Sequence, residues 1–227
     1  MAQPTDLTIR RDWPRPSAAV LARFKDVPTC LVTDALGRSG ALDHGIRPIL
    51  APKHFVGSAL PIATGARDNL ATFASLKFAK PGDVAMVATG DFQGTAAMGD
   101  YVIGLMKNAG IVAAITDGLV RDIAGFEHFG VAVYARGLTP NSPFRNGPGT
   151  VGLPIAIGGV TVAPGDIVVG DRDGIAIVPF ARITEIADAC AALRKNELEL
   201  EAAIKAGAKT PGWLEKTLGE KHVRYID

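Results

Sequence analysis

Residues 90–126, GDFQGTAAMGDYVIGLMKNAGIVAAITDGLVRDIAGF, restrict the fold of this chain more than any other stretch. A helix-like run containing Gly99, Asp100 and Tyr101 leads to Gly110, a residue type that ends helices because it accepts a left-handed backbone at no steric cost. The apolar run 110–116 then predicts a buried strand, and the polar loop 117–122 follows at once. A helix, a stop, a buried strand and a polar loop make the unit of an α/β fold, in which ligands meet the chain at the C-terminal ends of strands. Arg121 and Asp122 fall at such an end. A carboxylate able to hold a cation, next to a guanidinium able to hold an anion, suits a metal-chelated carboxylate substrate. The same pair serves equally as a surface ion pair closing a strand.

The remainder of the chain continues the alternation. Residues 1–16, with Pro4, Pro14 and Pro16, predict an arm packed on the surface or on a neighbour. Ser17 caps a helix over 18–24; Pro28 interrupts; Thr29 caps a second helix over 30–37. That helix carries Asp34, either a functional group or a polar residue bonded to nearby backbone. A turn-rich segment, 40–52, precedes a strand over 55–64, and Asp68 or Asn69 caps a helix over 70–78. The turn Lys80-Pro81-Gly82-Asp83 feeds a strand over 84–88. Beyond the central unit come one or two helical turns over 122–129 and a strand over 131–135. Arg136 and Arg145 lie on a loop, 136–149, where they reach a ligand or stay solvated.

Residues 151–179 are all β, with Asp171-Arg172-Asp173-Gly174 joining 167–170 to 175–178 as a hairpin. Asp171 and Asp173 mimic a metal loop, but Asp-Gly is itself a turn signal. A helix over 181–206 has the apolar stripe Ile183, Ile186, Ala187, Cys190 and Leu193, then the charged run 194–201, by default a solvated face. Trp213 and Leu214 lie in a short helical run of the tail. This divides the chain into an arm (1–20), one layered α/β domain (21–207) and a tail (208–227).

Composition excludes several classes. The 227 residues are 48% hydrophobic, enough for a sizeable core. With 24 basic and 23 acidic residues and no basic run, nothing resembles a nucleic-acid footprint. The two cysteines, Cys30 and Cys190, have no Cys or His at zinc-ligand spacing and fit a reducing cytoplasm. No signal peptide is expected at the start, and the uncharged stretch 146–165 is too rich in Gly and Pro to span a membrane. His44, His54, His128 and His222 are scattered. The glycine patterns of nucleotide-binding loops and the G-x-S-x-G elbow do not occur, and no glycine-rich loop supports S-adenosylmethionine binding.

Three segments taken in order, M-G-D-Y (98–101), I-T-D-G-L-V-R-D (115–122) and G-G-V-T-V-A-P-G-D-I-V-V-G-D-R-D-G (158–174), resemble the RraA-like family, which includes class II pyruvate aldolases. The resemblance covers roughly 20–205. It implies an α/β/β/α sandwich of the swivelling β/β/α type, and a homotrimer or homohexamer with sites between subunits. It implies a divalent cation, Mg2+ or Mn2+, held by Asp122, and an Arg121 that contacts the substrate's keto oxygen. Asp100 matches the acidic residue before a turn of amides; Gly99, Tyr101, Val102, Ile103 and Gly104 match the carboxylate-binding loop. Tyr101-Val102 departs from the Leu-Leu common there. Glu197 matches a glutamate that the C-terminal helix sends into the neighbouring site, with Glu199 and Glu201 close in register.

The activity so implied is cleavage of 4-hydroxy-2-keto acids, of the 4-hydroxy-4-methyl-2-oxoglutarate or 4-carboxy-4-hydroxy-2-oxoadipate kind, to pyruvate. A retro-aldol step through a metal-stabilised pyruvate enolate carries it, with oxaloacetate decarboxylation as a further activity. Lys77 and Lys107 leave a Schiff-base route formally open. The alternative is a non-catalytic regulatory protein like the ribonuclease E inhibitors of this fold. Those resemble the aldolases without the aspartate after the arginine, whereas this chain has Asp122.

Overall fold

The computed structural model describes residues 6–50 and 54–226. Expectations that touch Pro4, Pro52 or Asp227 lie outside the described residues. In chain order the strands are β1 Leu7–Ile9, β2 Arg47–Pro48, β3 Phe55–Thr64, β4 Asp83–Ala88, β5 Ala96–Met98, β6 Ala113–Thr116 and β7 Leu119–Val120. They continue with β8 Ala132–Ala135, β9 Gly137–Leu138, β10 Gly149–Val151, β11 Ile155–Ile157, β12 Val160–Val162, β13 Ile167–Gly170 and β14 Ile175–Val178. The helices are α1 Ala18–Ala22, α2 Thr29–Ala35, α3 Leu70–Ser75, α4 Asp100–Asn108, α5 Ile123–Phe129, α6 Ile183–Lys205 and α7 Leu214–Gly219.

A nine-stranded sheet runs in the order β1-β10-β3-β4-β6-β8-β2, with the β13–β14 hairpin attached to the first half of β3. Its centre, β3-β4-β6-β8, is parallel. The alternation of side chains along each strand separates three apolar layers. Leu60, Ile62, Ala85, Val87, Ala114 and Val133 point to one face and pack against α3, α4 and Phe126 of α5. Ala59, Val84, Met86, Ala113, Ile115 and Tyr134 point to the other, against β11, β12, Val168, Ile175 and Ile177. The far side of the hairpin, Ile167, Val169, Ala176 and Val178, meets Val32 of α2, Leu36 just after it, and Ile183, Ile186, Ala187 and Cys190 of α6. The layers therefore run helix, sheet, sheet, helix, as the α/β/β/α expectation has it.

Local signals hold with small shifts. Ser17 accepts from the Val20 N–H as the α1 cap. At α2 the cap position is Pro28 rather than Thr29. Thr29 is drawn away because its N–H and hydroxyl both donate to the Asp171 carboxylate, at 2.8 and 2.7 Å. Asp171 also accepts from the Asp173 N–H at 2.9 Å, so this aspartate closes a turn and ties it to α2. The N-terminal segment packs on its own domain: β1 pairs with β10, and Trp13 is buried in the core. Arg15 forks onto the buried Asp83 at 2.8 and 2.9 Å while stacking on Trp13.

Candidate functional site

A second, three-stranded parallel sheet, β5-β7-β9, positions the site. Sequence reading ends the strand at 116 and leaves 117–122 as loop; the structure starts β7 there instead. The cause is Asp117, buried at 1% exposure. Its carboxylate accepts from the Thr89 N–H at 2.6 Å, the Thr89 hydroxyl at 2.9 Å and the Asp91 N–H at 3.1 Å. The chain turns around that anchor, so β4, β6 and β8 are each continued by a short strand in the same lateral order. The ends of β5 and β7 then deliver Gly99-Asp100 and Arg121-Asp122 side by side.

Asp122 has φ 61° and ψ 41°, the left-handed conformation. Aspartate tolerates it better than most residues, and such strain concentrates at functional sites. Along an extended strand two successive side chains would point apart. Here the turn brings them together, with Arg121 Nε 3.2 Å from Asp122 Oδ2. The guanidinium is held at a second point by the Ser142 hydroxyl, which accepts from Nη1. Arg121 is 29% and Asp122 47% exposed, so the pair is sheltered yet open to a ligand. Gly99 makes room for it: a Cβ there would lie 2.8 Å from Asp122 Oδ2 and 3.2 Å from Arg121 Cγ.

Asp100 opens α4, where the positive end of the helix dipole favours a carboxylate. One of its oxygens accepts from the Tyr101 N–H at 2.7 Å. A small polar cavity joins Gly99, Asp100, Tyr101 and Val102 to Arg121 and Asp122, with Asn69, Phe73, Ser142 and Arg145 completing its wall. A shallower groove on Ile123, Leu138, Thr139 and Pro140 shares the same Arg-Asp pair.

Two expected carboxylate-binding positions are not brought to the cavity. The Ile103 N–H donates to Gly99 O at 3.1 Å as the first bond of the helix, and its side chain is fully buried in the core. Gly104 lies one position deeper, inside the intrahelical ladder, with a missing Cβ that would strike the Phe129 ring at 2.9 Å. Only the amides of the first turn lack intrahelical partners, which leaves Asp100 and Val102 as the open donors on either side of Tyr101. Glu197 is also elsewhere in its own protomer. It pairs with Arg194 at 2.5 Å. The helix that carries it, α6, packs its buried face on α2 and the β13–β14 hairpin.

Of the loop arginines, Arg136 is committed to Asp43 at 2.5 Å and Asp91 at 2.7 Å, whereas Arg145 faces the cavity. Arg136 holds the Asp43 carboxyl below its usual range, helped by the Gly45 N–H. Sequence reading missed Asn69 and Ser142. The signal for Asn69 was a surplus: it occupies the cap position of α3 without a side-chain cap bond, while Asp68, one residue earlier, accepts from the Leu70 N–H at 2.8 Å. Asn69 is thereby free to turn inward, where Nδ2 donates to Ala97 O at 3.3 Å and Oδ1 is buried without a partner. Ser142 had no local signal; it meets Arg121 only through the loop's path.

The donor set fits a hard, hydrated divalent cation. Among the described residues no group of three or more His, Cys, Asp and Glu side chains forms a metal cluster. One or two carboxylates, with water and substrate oxygens filling the other positions, are what Mg2+ typically takes. Asp122, half-exposed and at the cavity wall, can be such a ligand, with Asp100 in the same cavity. Among the described residues no helix is long and apolar enough to cross a membrane.

The RraA-like profile, described as Aldolase/RraA, matches residues 29–177. A protein of Halalkalibacterium halodurans with the provisional name 4-hydroxy-4-methyl-2-oxoglutarate aldolase is 35% identical over 160 residues, 70% of this chain and 76% of its own. A crystal structure of a Pseudomonas syringae protein superposes with a TM-score of 0.76 at 23% identity, covering 87% of this chain and 97% of that one. Streptomyces coelicolor RraAS2, described as an unusual member of the RNase ES inhibitor RraA protein family, superposes at 0.72 with 26% identity, covering 84% and 100%. By the extent of the profile match and by the Halalkalibacterium relative, the chain belongs to the RraA-like, Aldolase/RraA family.

Proposed function

We propose that this protein is a divalent-metal-dependent lyase that cleaves 4-hydroxy-2-keto acids to pyruvate by a retro-aldol reaction and also decarboxylates oxaloacetate. The observation that carries the reading is the Arg121–Asp122 pair, fixed by a left-handed turn and a serine in one cavity with Asp100. The name of the Halalkalibacterium relative supports the substrate class.

Asp122 would hold the cation, Mg2+ or Mn2+, with Asp100 lining the same cavity. When bound, the cation supplies Lewis acidity toward the keto oxygen and carboxylate of the substrate. Arg121 presents fixed N–H donors where the enolate oxygen gains charge, and its two anchors remove the cost of reorienting it during reaction. The first turn of α4, through the Val102 N–H and the helix dipole, favours the substrate's C1 carboxylate. Asp100 has no arginine partner among the described residues and can accept the C4 hydroxyl proton as the carbon–carbon bond breaks. Oxaloacetate loses CO2 through the same enolate. In a homo-oligomer, Glu197 would complete the site of a neighbouring subunit.

The test is pyruvate release from 4-hydroxy-4-methyl-2-oxoglutarate and from oxaloacetate, with Mg2+ and after exhaustive chelation. Metal-dependent release is the expected result. No release from either substrate with metal present would overturn the lyase reading and favour a regulatory binding protein, the class to which RraAS2 is assigned.

A further inference from the structure

The three strands that deliver the site are very short, and the segments leading into them are joined by Arg136. β5, β7 and β9 span Ala96–Met98, Leu119–Val120 and Gly137–Leu138. Strands of globular proteins usually run about 3–10 residues, so ladders this short fix their register weakly. β7 lies between β5 and β9. Asp91 precedes β5, Asp117 and Gly118 precede β7, and Arg136 precedes β9.

These lead-in residues form a closed circuit. The Asp117 carboxylate accepts from the Asp91 N–H at 3.1 Å. The Asp91 carboxylate accepts from Arg136 Nε at 2.9 Å, with Nη2 2.7 Å from the same oxygen. The Arg136 N–H donates to Gly118 O at 3.0 Å, next to Asp117 again. The free edge of the fork, Nη1, donates to Asp43 Oδ1 at 2.5 Å. Asp43 belongs to the neighbouring layer: its own N–H donates to Gly158 O at 2.9 Å, and the Leu42 N–H donates to Ile175 O at 3.0 Å. Gly45 leaves space for the guanidinium, since a Cβ there would stand 2.5 Å from Nη1. Asp91 holds a left-handed φ of 60° to within a degree, 59°, a conformation that persists only where the surroundings enforce it.

Both anchors of Arg121 lie downstream of this circuit. The Arg121 N–H donates to Met98 O at 3.1 Å and the Thr139 N–H to Val120 O at 3.0 Å, so β7 is held from both sides up to Arg121. Ser142, the hydroxyl anchor of Arg121, follows β9 on the same loop. The distance from Gly118 to Arg121 is about 10 Å at the rise of a strand. Arg136 itself lies outside the cavity and the groove at the Arg121–Asp122 pair. Its partners Asp43 and Asp91 are 37% and 63% exposed, and ion pairs so open to water add little to global stability. We infer that Arg136 is a positioning residue: its fork sets the register of β5, β7 and β9 and thereby the geometry of the Arg121–Asp122 pair. Only the catalytic consequence of this assignment rests on the lyase reading.

The test reads register and rate separately. Amide hydrogen exchange of the full-length protein is compared for the parent, Arg136→Ala and Asp91→Asn. Val32→Ala, which truncates the buried α2 layer, is the control. In Arg136→Ala the amides of 118–123 and 137–142 should exchange about tenfold faster while those of β4 keep the parental rate, because local opening follows local contacts. Asp91→Asn should do the same more weakly. Arg136→Lys should recover part of the protection, since one ammonium cannot reach two carboxylates in two directions. Val32→Ala should lower the melting temperature more than Arg136→Ala without this local pattern.

Pyruvate release is followed in parallel at a temperature where every variant is folded. Arg136→Ala should lose about tenfold or more in kcat rather than in KM, and Val32→Ala should stay within about twofold; a 1 Å misplacement at a catalytic group costs about 10²-fold. Exchange that is unchanged, or faster throughout the chain, overturns the assignment. So does a local change with parental kcat in an enzyme that releases pyruvate. A parent that releases no pyruvate sinks the lyase reading, while local acceleration still leaves Arg136 assigned to the register of the three strands.

Discussion

Gly125 lies directly against Asp100: a Cβ on Gly125 would stand 2.5 Å from Asp100 Cβ and 2.8 Å from Asp100 Oδ2. The bare backbone of α5 thus forms a wall behind the carboxylate that opens α4. Gly125→Ala should push that carboxylate aside or spread the two helices. Overpacking of this kind costs about 1–3 kcal/mol of stability, while a displacement near 1 Å at a catalytic group costs about 10²-fold in rate. Unfolding curves beside steady-state kinetics check this. A variant that loses stability but turns over at the parental rate would show that the position of Asp100 is not critical.

Asp122→Ala should abolish turnover and weaken metal binding, because it removes the carboxylate held at the cavity wall by Arg121. Titration with Mn2+ followed by electron paramagnetic resonance reads the binding separately from activity. Full turnover of this variant after exhaustive chelation would rule out the metal role.

Arg121→Lys should lose far more activity than metal affinity. Arginine meets Asp122 through Nε and Ser142 through Nη1, two directions that one ammonium cannot satisfy while also facing an oxyanion. Loss of a preorganised oxyanion contact typically costs about 10²–10³ in turnover. A lysine enzyme within a few-fold of the parent would make Arg121 a structural partner of Asp122 only.

Glu197 tests the shared site. It is absent from the cavity of its own protomer, on a helix whose later turns leave Leu198, Leu200 and Ile204 exposed. Arg121→Ala and Glu197→Ala should each be impaired alone and partly recover when their subunits are exchanged, since some interfaces then pair an intact Arg121 with an intact Glu197. Activity that stays at the weighted mean of the two, with exchange shown independently, removes Glu197 from the site.

Much of the fold was legible in the sequence because its signals are local. The strand Phe55–Thr64 and the hairpin Ile167–Gly170 with Ile175–Val178 stand at their expected bounds. Each is an apolar run ended by turn residues, and period-2 burial needs no distant partner to be recognised. The order of helix, glycine stop and strand around Gly110 also held, but β5 and β7, the neighbouring strands whose ends carry Asp100 and Arg121, were not read from the sequence. What the sequence could not determine was every contact made between loops. Asp117 bends the chain only because Thr89 and Asp91 lie beside it, 28 and 26 residues away. Thr29 leaves its cap for Asp171 across 142 residues. Ser142, Asn69 and Arg145 join Arg121 because the parallel order β3-β4-β6-β8 stacks the loops that follow those strands at one edge. Whether an amide of α4 is free was likewise a matter of geometry, since Ile103 spends its donor on Gly99. Periodicity and turn chemistry act over a few residues and set the elements; the lateral order of strands acts over the whole chain and decides which side chains share a cavity.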